Sequence, residues 1–159
     1  MTDLGGLLGS LADAGVEMIV VGGAAATAHG AARLTQDIDI VYERSVANLQ
    51  RLVSALGSYH PYPRGAPPGL PFAFDVQTLR NGANFTLQTD LGAIDLLAEV
   101  TGGGNYHDLL PSTVVLNTFG RSVRCLALSK LIEVKRAAGR PKDFEAIAEL
   151  EVLLDESQR

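Results

Sequence analysis

Apolar and polar positions along this chain change period several times, and each change marks an element. Leu4, Leu7, Leu8 and Leu11 fall at i, i+3, i+4 and i+7, one face of a helix, and Gly15 supplies its stop. Residues 17–22 predict the first strand. The run Val20-Val21-Gly22-Gly23 ends it in a sharp glycine turn, followed by an alanine-rich helix over residues 24–29 that Gly30 closes. Residues 37–41 read as a second strand, in which alternation places Asp37 and Asp39 on one face and their apolar neighbours in the core. Ser45 suits the N-cap of a helix with apolar positions Leu49, Leu52, Val53 and Leu56, ended by Gly57.

Residues 58–71 hold five of the seven prolines together with Gly65 and Gly69, a composition that excludes helix or central strand. They predict a loop folded over the protein's own surface and anchored by Tyr59, Tyr62, Leu70 and Phe72, with a substrate-gating lid as the alternative. A helical turn is expected over 74–80, and a hairpin joins 84–89 to 93–98 through Asp90-Leu91-Gly92. Thr101-Gly102-Gly103-Gly104 lacks the lysine and helix of a phosphate-binding P-loop and reads as a flexible turn. A second hairpin is expected from Val114 to Leu126 about Phe119-Gly120-Arg121, then a helix from Ser129 to Ala138. Pro141 opens a last helix with apolar positions Phe144, Ile147, Ala148, Leu150 and Leu154, packed antiparallel on the one before it. The polar end, Asp155 to Arg159, is expected to fray. These elements predict an α+β domain spanning residues 1–159, with a mixed central sheet flanked by helices and a C-terminal helical pair.

Composition narrows this picture. With 159 residues and 47% hydrophobic content the chain can bury a true core. The single Cys125 allows neither an internal disulfide nor a metal framework, so it reads as a buried filler in a reducing compartment. Met1-Thr2-Asp3-Leu4 lacks the positive start of a signal peptide and no apolar run reaches membrane-spanning length, so the expected location is cytoplasmic, with no membrane partner. A net charge of -5 argues against coating nucleic acid by broad electrostatics.

The candidate chemistry is acidic and glycine-rich. Acids are poor strand formers, so Asp37 and Asp39 inside a core strand point to function rather than to a solvated edge. Asp95, within Ala93-Ile94-Asp95-Leu96-Leu97, has the same character, although two alternation steps do not decide which face it takes; Glu99 shares its parity as a substitute. Gly22 and Gly23 leave backbone N–H groups bare at a helix start, a place for phosphate. Arg33 either neutralises phosphate or pairs with an acid such as Glu43. His29 reads as a helix-end histidine. Lys130, Lys135, Arg136, Arg140 and Lys142 concentrate positive charge near the final turn, where Asp143 is an acid suited to a first helical turn.

Taken together, the double glycine, the short helix, and Arg33, Thr35 and Asp37-Ile38-Asp39 resemble the nucleotidyltransferase superfamily, the DNA polymerase β-like fold. Within it the likeness is to the AbiEii-type toxin branch and small nucleotidyltransferase-like relatives. Asn84-Phe85-Thr86-Leu87 leading to Gly92 and Asp95 resembles the strand that brings a third carboxylate, and the stretch from Lys135 to Asp143 resembles the branch's basic C-terminal segment. The likeness covers roughly residues 17–150.

This resemblance implies transfer of a nucleoside monophosphate from a nucleoside triphosphate, ATP among them, to a hydroxyl. Asp37, Asp39 and Asp95 would be both the catalytic set and the ligands of Mg²⁺ or Mn²⁺. Gly22, Gly23, Arg33, Thr35 and Lys135 would bind the nucleotide. The implied acceptors are a tRNA 3′ end, a protein side chain or a small molecule, and the implied setting is a toxin with a cognate antitoxin. Two departures support an alternative, a non-catalytic nucleotide-binding or regulatory module: Gly23 stands where many members have serine, and Ala146 where fuller members often have another aspartate.

Overall fold

The computed structural model describes residues 2–32 and 35–158. Helix α1 (Leu4–Asp13) is capped by the Asp3 carboxylate, which accepts from the Gly6 amide, and buries Leu7, Leu8 and Leu11 as their spacing requires. Strand β1 (Met18–Val21) is buried throughout. Helix α2 (Gly22–Ala28) starts two residues earlier than expected, so both glycines lie inside its first turn rather than ahead of it. Strand β2 (Asp37–Tyr42) alternates as predicted, with Ile38 and Ile40 fully buried and Asp37 and Asp39 only partly so.

Ser45 caps α3 (Val46–Leu56) by accepting from the Asn48 amide. The buried Asn48 side chain then joins three elements: Nδ2 donates to the carbonyls of Glu17 and Glu43, and Oδ1 accepts from the Glu17 amide. A buried amide with all these bonds made locks the start of β1 and the end of β2 against α3.

In the proline-rich segment the prediction holds in the main. It contains a short 3-10 turn and the two-residue strand β3 (Tyr62–Pro63), which pairs at the sheet edge with β4 (Phe85–Thr89), where a proline is tolerated. Tyr62 and Phe72 meet edge to face at 6.3 Å, whereas Leu70 is 49% exposed and is held through its amide, which donates to the Tyr62 hydroxyl at 3.1 Å. Asp75 caps the short helix α4 (Val76–Asn81).

Strand β5 (Gly92–Leu97) completes the first hairpin. A small ribbon of β6 (Glu99–Val100) and β7 (Gly104–Asn105) follows, then the one-turn helix α5 (Tyr106–Leu109), held by a reciprocal Asn105–Asp108 capping box that the hydrophobic pattern did not reveal. Strands β8 (Thr113–Thr118) and β9 (Arg121–Leu126) form the second hairpin, and α6 (Leu128–Ala138) and α7 (Pro141–Ser157) the helical pair.

The sheet order is β3-β4-β5-β2-β1-β9-β8. Pairs β2/β5 and β1/β9 are parallel and the others antiparallel, so the sheet is mixed, with the parallel pairs near its centre where both faces can be covered. Among the described residues, no helix is long and apolar enough to cross a membrane.

Two expectations about α7 are corrected. Ile147 and Leu150 carry its packing face, which turns Phe144 outward, 60% exposed, and leaves Ala148 exposed beside it. The helix also continues to Ser157, so Asp155 lies in its last turn instead of a frayed tail.

Candidate active site

Parallel pairing of β2 with β5 decides the geometry of the acidic cluster. Its register sets Asp39 opposite Asp95 and Asp37 opposite Ala93. Residues directly opposite in a sheet point to the same face, so Asp95 joins the face that alternation had already given to Asp37 and Asp39. One oxygen from each carboxylate lies within 4.8 Å of the others, and all three residues are partly buried.

Oxygens sharing one Mg²⁺ at about 2.1 Å stand about 3 Å apart when adjacent and about 4.2 Å when opposite, so small side-chain rotations bring this set into reach of a single ion. Asp39 Oδ1 is buried and, among the described residues, has no hydrogen-bond partner. Burial above all, then the Asp37 and Asp95 charges, raise the Asp39 carboxyl to about 7, while Lys135 opposes the rise. A buried, unpaired oxygen among three acids is a hard-ligand set that fits a divalent cation such as Mg²⁺ or Mn²⁺.

The glycine turn is shaped around these acids. Val21 is opposite Asp39 in the β1/β2 register, so the next residue, Gly22, lies against the Asp39 side chain. Gly22 has φ +63°, and a Cβ there would stand 2.4 Å from Asp39 Oδ2. Both backbone conformation and space therefore demand glycine. A Cβ on Gly23 would meet Thr35 Oγ1 at 2.8 Å. The hydroxyl beside this turn thus belongs to Thr35, which donates to the Asp37 carbonyl at 2.8 Å.

A cavity of about 490 Å³ opens beside the cluster, lined by Gly22, Gly23, Thr35, the three aspartates and the α6/α7 corner with Lys135, Arg140 and Lys142. Burial lowers the Lys135 ammonium below its usual range, partly offset by Asp143 and Asp39. Asp143, only 3% exposed, holds Arg140 Nε at 2.8 Å and caps α7 through the Arg140 amide. That hydrogen bond from Arg140 keeps the Asp143 carboxyl below its ordinary value. Asp143 therefore builds the corner, and Ala146 lines the cavity without a charge.

Other candidates fall elsewhere. Arg33 lies outside the described residues. Glu43 bonds the Ser45 amide and hydroxyl. His29 Nε2 contacts the Leu126 carbonyl at 2.7 Å, consistent with a helix-end role. Lys130 pairs with Glu133 and Arg136 with Glu151. Glu99 sits on β6, outside the acidic cluster, and lines an adjoining cavity of about 430 Å³ that shares Gly22, Asp39, Lys135 and Arg140 with the first.

One residue escaped sequence reasoning entirely. Arg64, from the proline-rich segment, donates from Nη2 to Asp95 Oδ1 at 2.9 Å, with Nη1 4.0 Å from Asp37 Oδ2. An arginine between prolines and glycines carries no periodic signal, and only its place one residue past an edge strand hints at a fixed position.

The mixed sheet with its flanking helices has the nucleotidyltransferase type of fold. No protein-family profile matches the chain, and no curated protein matches its sequence. Solved structures that share the fold over nearly the whole chain include the following two. TM1012 of Thermotoga maritima, a candidate nucleotidyltransferase, aligns at 16% identity and TM-score 0.58, covering 98% of this chain and 96% of its own. The antibiotic-resistance factor ANT(2'')-Ia, solved in solution, aligns at 15% identity and TM-score 0.52, covering 96% and 88%.

Proposed function

We propose that this protein is a divalent-metal-dependent nucleotidyltransferase that moves a nucleoside monophosphate from a nucleoside triphosphate to a hydroxyl. The observation that carries this reading is the meeting of Asp37, Asp39 and Asp95 on one sheet face beside a glycine-floored cavity with a cationic wall. A bound Mg²⁺ or Mn²⁺ supplies charge neutralisation at the reacting phosphate and lowers the pKa of a coordinated hydroxyl.

The chain's own part is positional. Asp37, Asp39 and Asp95 hold the ion, and Gly22 leaves its ligand Asp39 unobstructed. Lys135 and Lys142 face the same cavity and offset the negative charge of the triphosphate, while Thr35 fixes the backbone that carries Asp37. The adjoining cavity meets the first at Asp39 and Gly22, which suits it to the acceptor. Its walls combine the apolar Leu97 and Val134 with the polar Asn84 and Glu99.

Incubation with each α-labelled nucleoside triphosphate, Mg²⁺ or Mn²⁺, and total RNA or lysate tests the reading, beside an Asp37→Ala and Asp39→Ala double variant. Labelled acceptor that disappears in the variant is the expected result, and label on RNA would favour the toxin-like setting suggested by the sequence. Metal-dependent nucleotide binding with no labelled product from any acceptor pool would instead favour the non-catalytic module.

A further inference from the structure

The proline-rich segment delivers a cation to the acidic cluster. Strand β3 pairs Tyr62 with Gln88 and Pro63 with Leu87, and the Arg64 amide continues the pairing by donating to the Thr86 carbonyl at 2.9 Å. Proline has no N–H, so the Arg64 amide supplies a donor that Pro63 cannot. With its backbone fixed there, Arg64 reaches in over β4 and β5. Nη2 lies 2.8 Å from the Leu87 carbonyl and 3.4 Å from that of Ile94, which are partners across the β4/β5 ladder, and 2.9 Å from Asp95 Oδ1. Arg64 Nε is buried and has no hydrogen-bond partner among the described residues. Leaving a donor of a charged group unsatisfied is costly, so fold stability alone does not account for this placement; the negative charge of the cluster does.

We propose that Arg64 is the resident counter-charge of the carboxylate site: it turns and neutralises Asp95 when no metal is bound, and it lowers the affinity of the cluster for a free divalent cation. This inference rests on reading Asp37, Asp39 and Asp95 as the metal ligands. Two effects of Arg64 compete. Its hydrogen bond to Oδ1 orients Asp95, as supporting bonds do for many metal ligands, which favours metal. Its positive charge, within 4.0 Å of two of the carboxylates that would hold a divalent ion, would repel that ion. Coulomb interaction at such distances exceeds the gain from orienting one ligand, so the repulsion wins.

The test is Mn²⁺ binding followed by electron paramagnetic resonance, with no nucleotide present. The proteins compared are wild type, Arg64→Met, Arg64→Gln, Arg64→Lys and the Asp37→Ala and Asp39→Ala double variant, each also melted in chelator. Arg64→Met and Arg64→Gln should bind Mn²⁺ about tenfold more tightly than wild type and melt at lower temperature without metal. Arg64→Lys, which keeps the charge, should stay within about threefold of wild-type affinity. Arg64→Gln retains a donor for the Leu87 carbonyl, so it serves if Arg64→Met does not fold. Unchanged or weaker Mn²⁺ binding in a folded neutral variant overturns the counter-charge role, as does Arg64→Lys behaving like Arg64→Met. Binding that the double aspartate variant fails to reduce overturns the metal-site reading itself, and this inference with it.

Discussion

Replacing Asp39 with asparagine should make the metal-free protein more stable, and more so as pH rises. Asp39 is half-buried against Gly22, has a buried oxygen with no partner among the described residues, and lies among two other acids that share its face. Its carboxyl is raised from 3.8 to about 7, first by burial and then by Asp37 and Asp95. For an acid with a raised pKa, the folded protein keeps the proton over a range in which the unfolded chain has lost it. Stability therefore falls as pH climbs from about 4 to about 7, and the full penalty is present above that.

Asparagine carries no such penalty. Between pH 5 and pH 8 the advantage of Asp39→Asn over wild type should grow across roughly two pH units at about 1.36 kcal/mol each, an upper bound of about 2.7 kcal/mol. Solvent screening at these partly exposed carboxylates reduces that to about 1–2 kcal/mol, or roughly 3–6 °C in melting temperature for a chain of this size. Urea unfolding in chelator at the two pH values measures it. A variant less stable than wild type at pH 8, or an advantage equal at both pH values, would refute the argument that the fold tolerates Asp39 as a charge only in order to bind something. Adding Mn²⁺ should reverse the order, because wild type gains a ligand that the variant cannot hold.

Three further substitutions probe the rest of the site. Gly22→Ala forces a side chain into a positive-φ position and against Asp39 Oδ2, and should cost about 1–3 kcal/mol of stability and weaken Mn²⁺ binding at least about tenfold, read by melting and by titration. Lys135→Met removes a cation that burial already disfavours, so the melting temperature should hold or rise while nucleoside triphosphate affinity drops about tenfold; unchanged affinity in a fluorescent-nucleotide titration would remove Lys135 from the binding site. Asp143→Ala strips the α7 cap and frees Arg140, with an expected loss of about 1–2 kcal/mol at pH 7. Because Arg140 depresses the Asp143 carboxyl, this contribution is present above the unfolded value near 3.9 and fades as pH falls through the lower folded value, so chemical denaturation should show variant and wild type converging in acid.

Local patterns were legible wherever a few consecutive residues decide a conformation. The capped helix after Ser45, the hairpin at Leu91-Gly92 and the proline start of α7 all follow from spacing and capping chemistry, and all form. Failures came where partners distant in the chain choose the outcome. Phe144 fits the helical apolar pattern as well as Ile147 does, yet only contact with α6 and the cavity decides which of the two is covered. The Asn105–Asp108 capping box was readable in principle, but on a one-turn helix there is no hydrophobic period to draw attention to it.

For the site, strand geometry alone placed Asp37 and Asp39 on one face, because backbone pleating fixes that relation within a single strand. The side taken by Asp95 was left to the parallel register of β5 on β2, and that register is set by burial of Ile38, Ile40, Ile94 and Leu96 across the sheet, a cooperative choice no short window contains. Arg64 depended on tertiary structure altogether. It reaches the acids because an edge pairing with β4 holds the proline-rich segment in place, and charge attraction acts through space without regard to how far apart two residues lie along the chain.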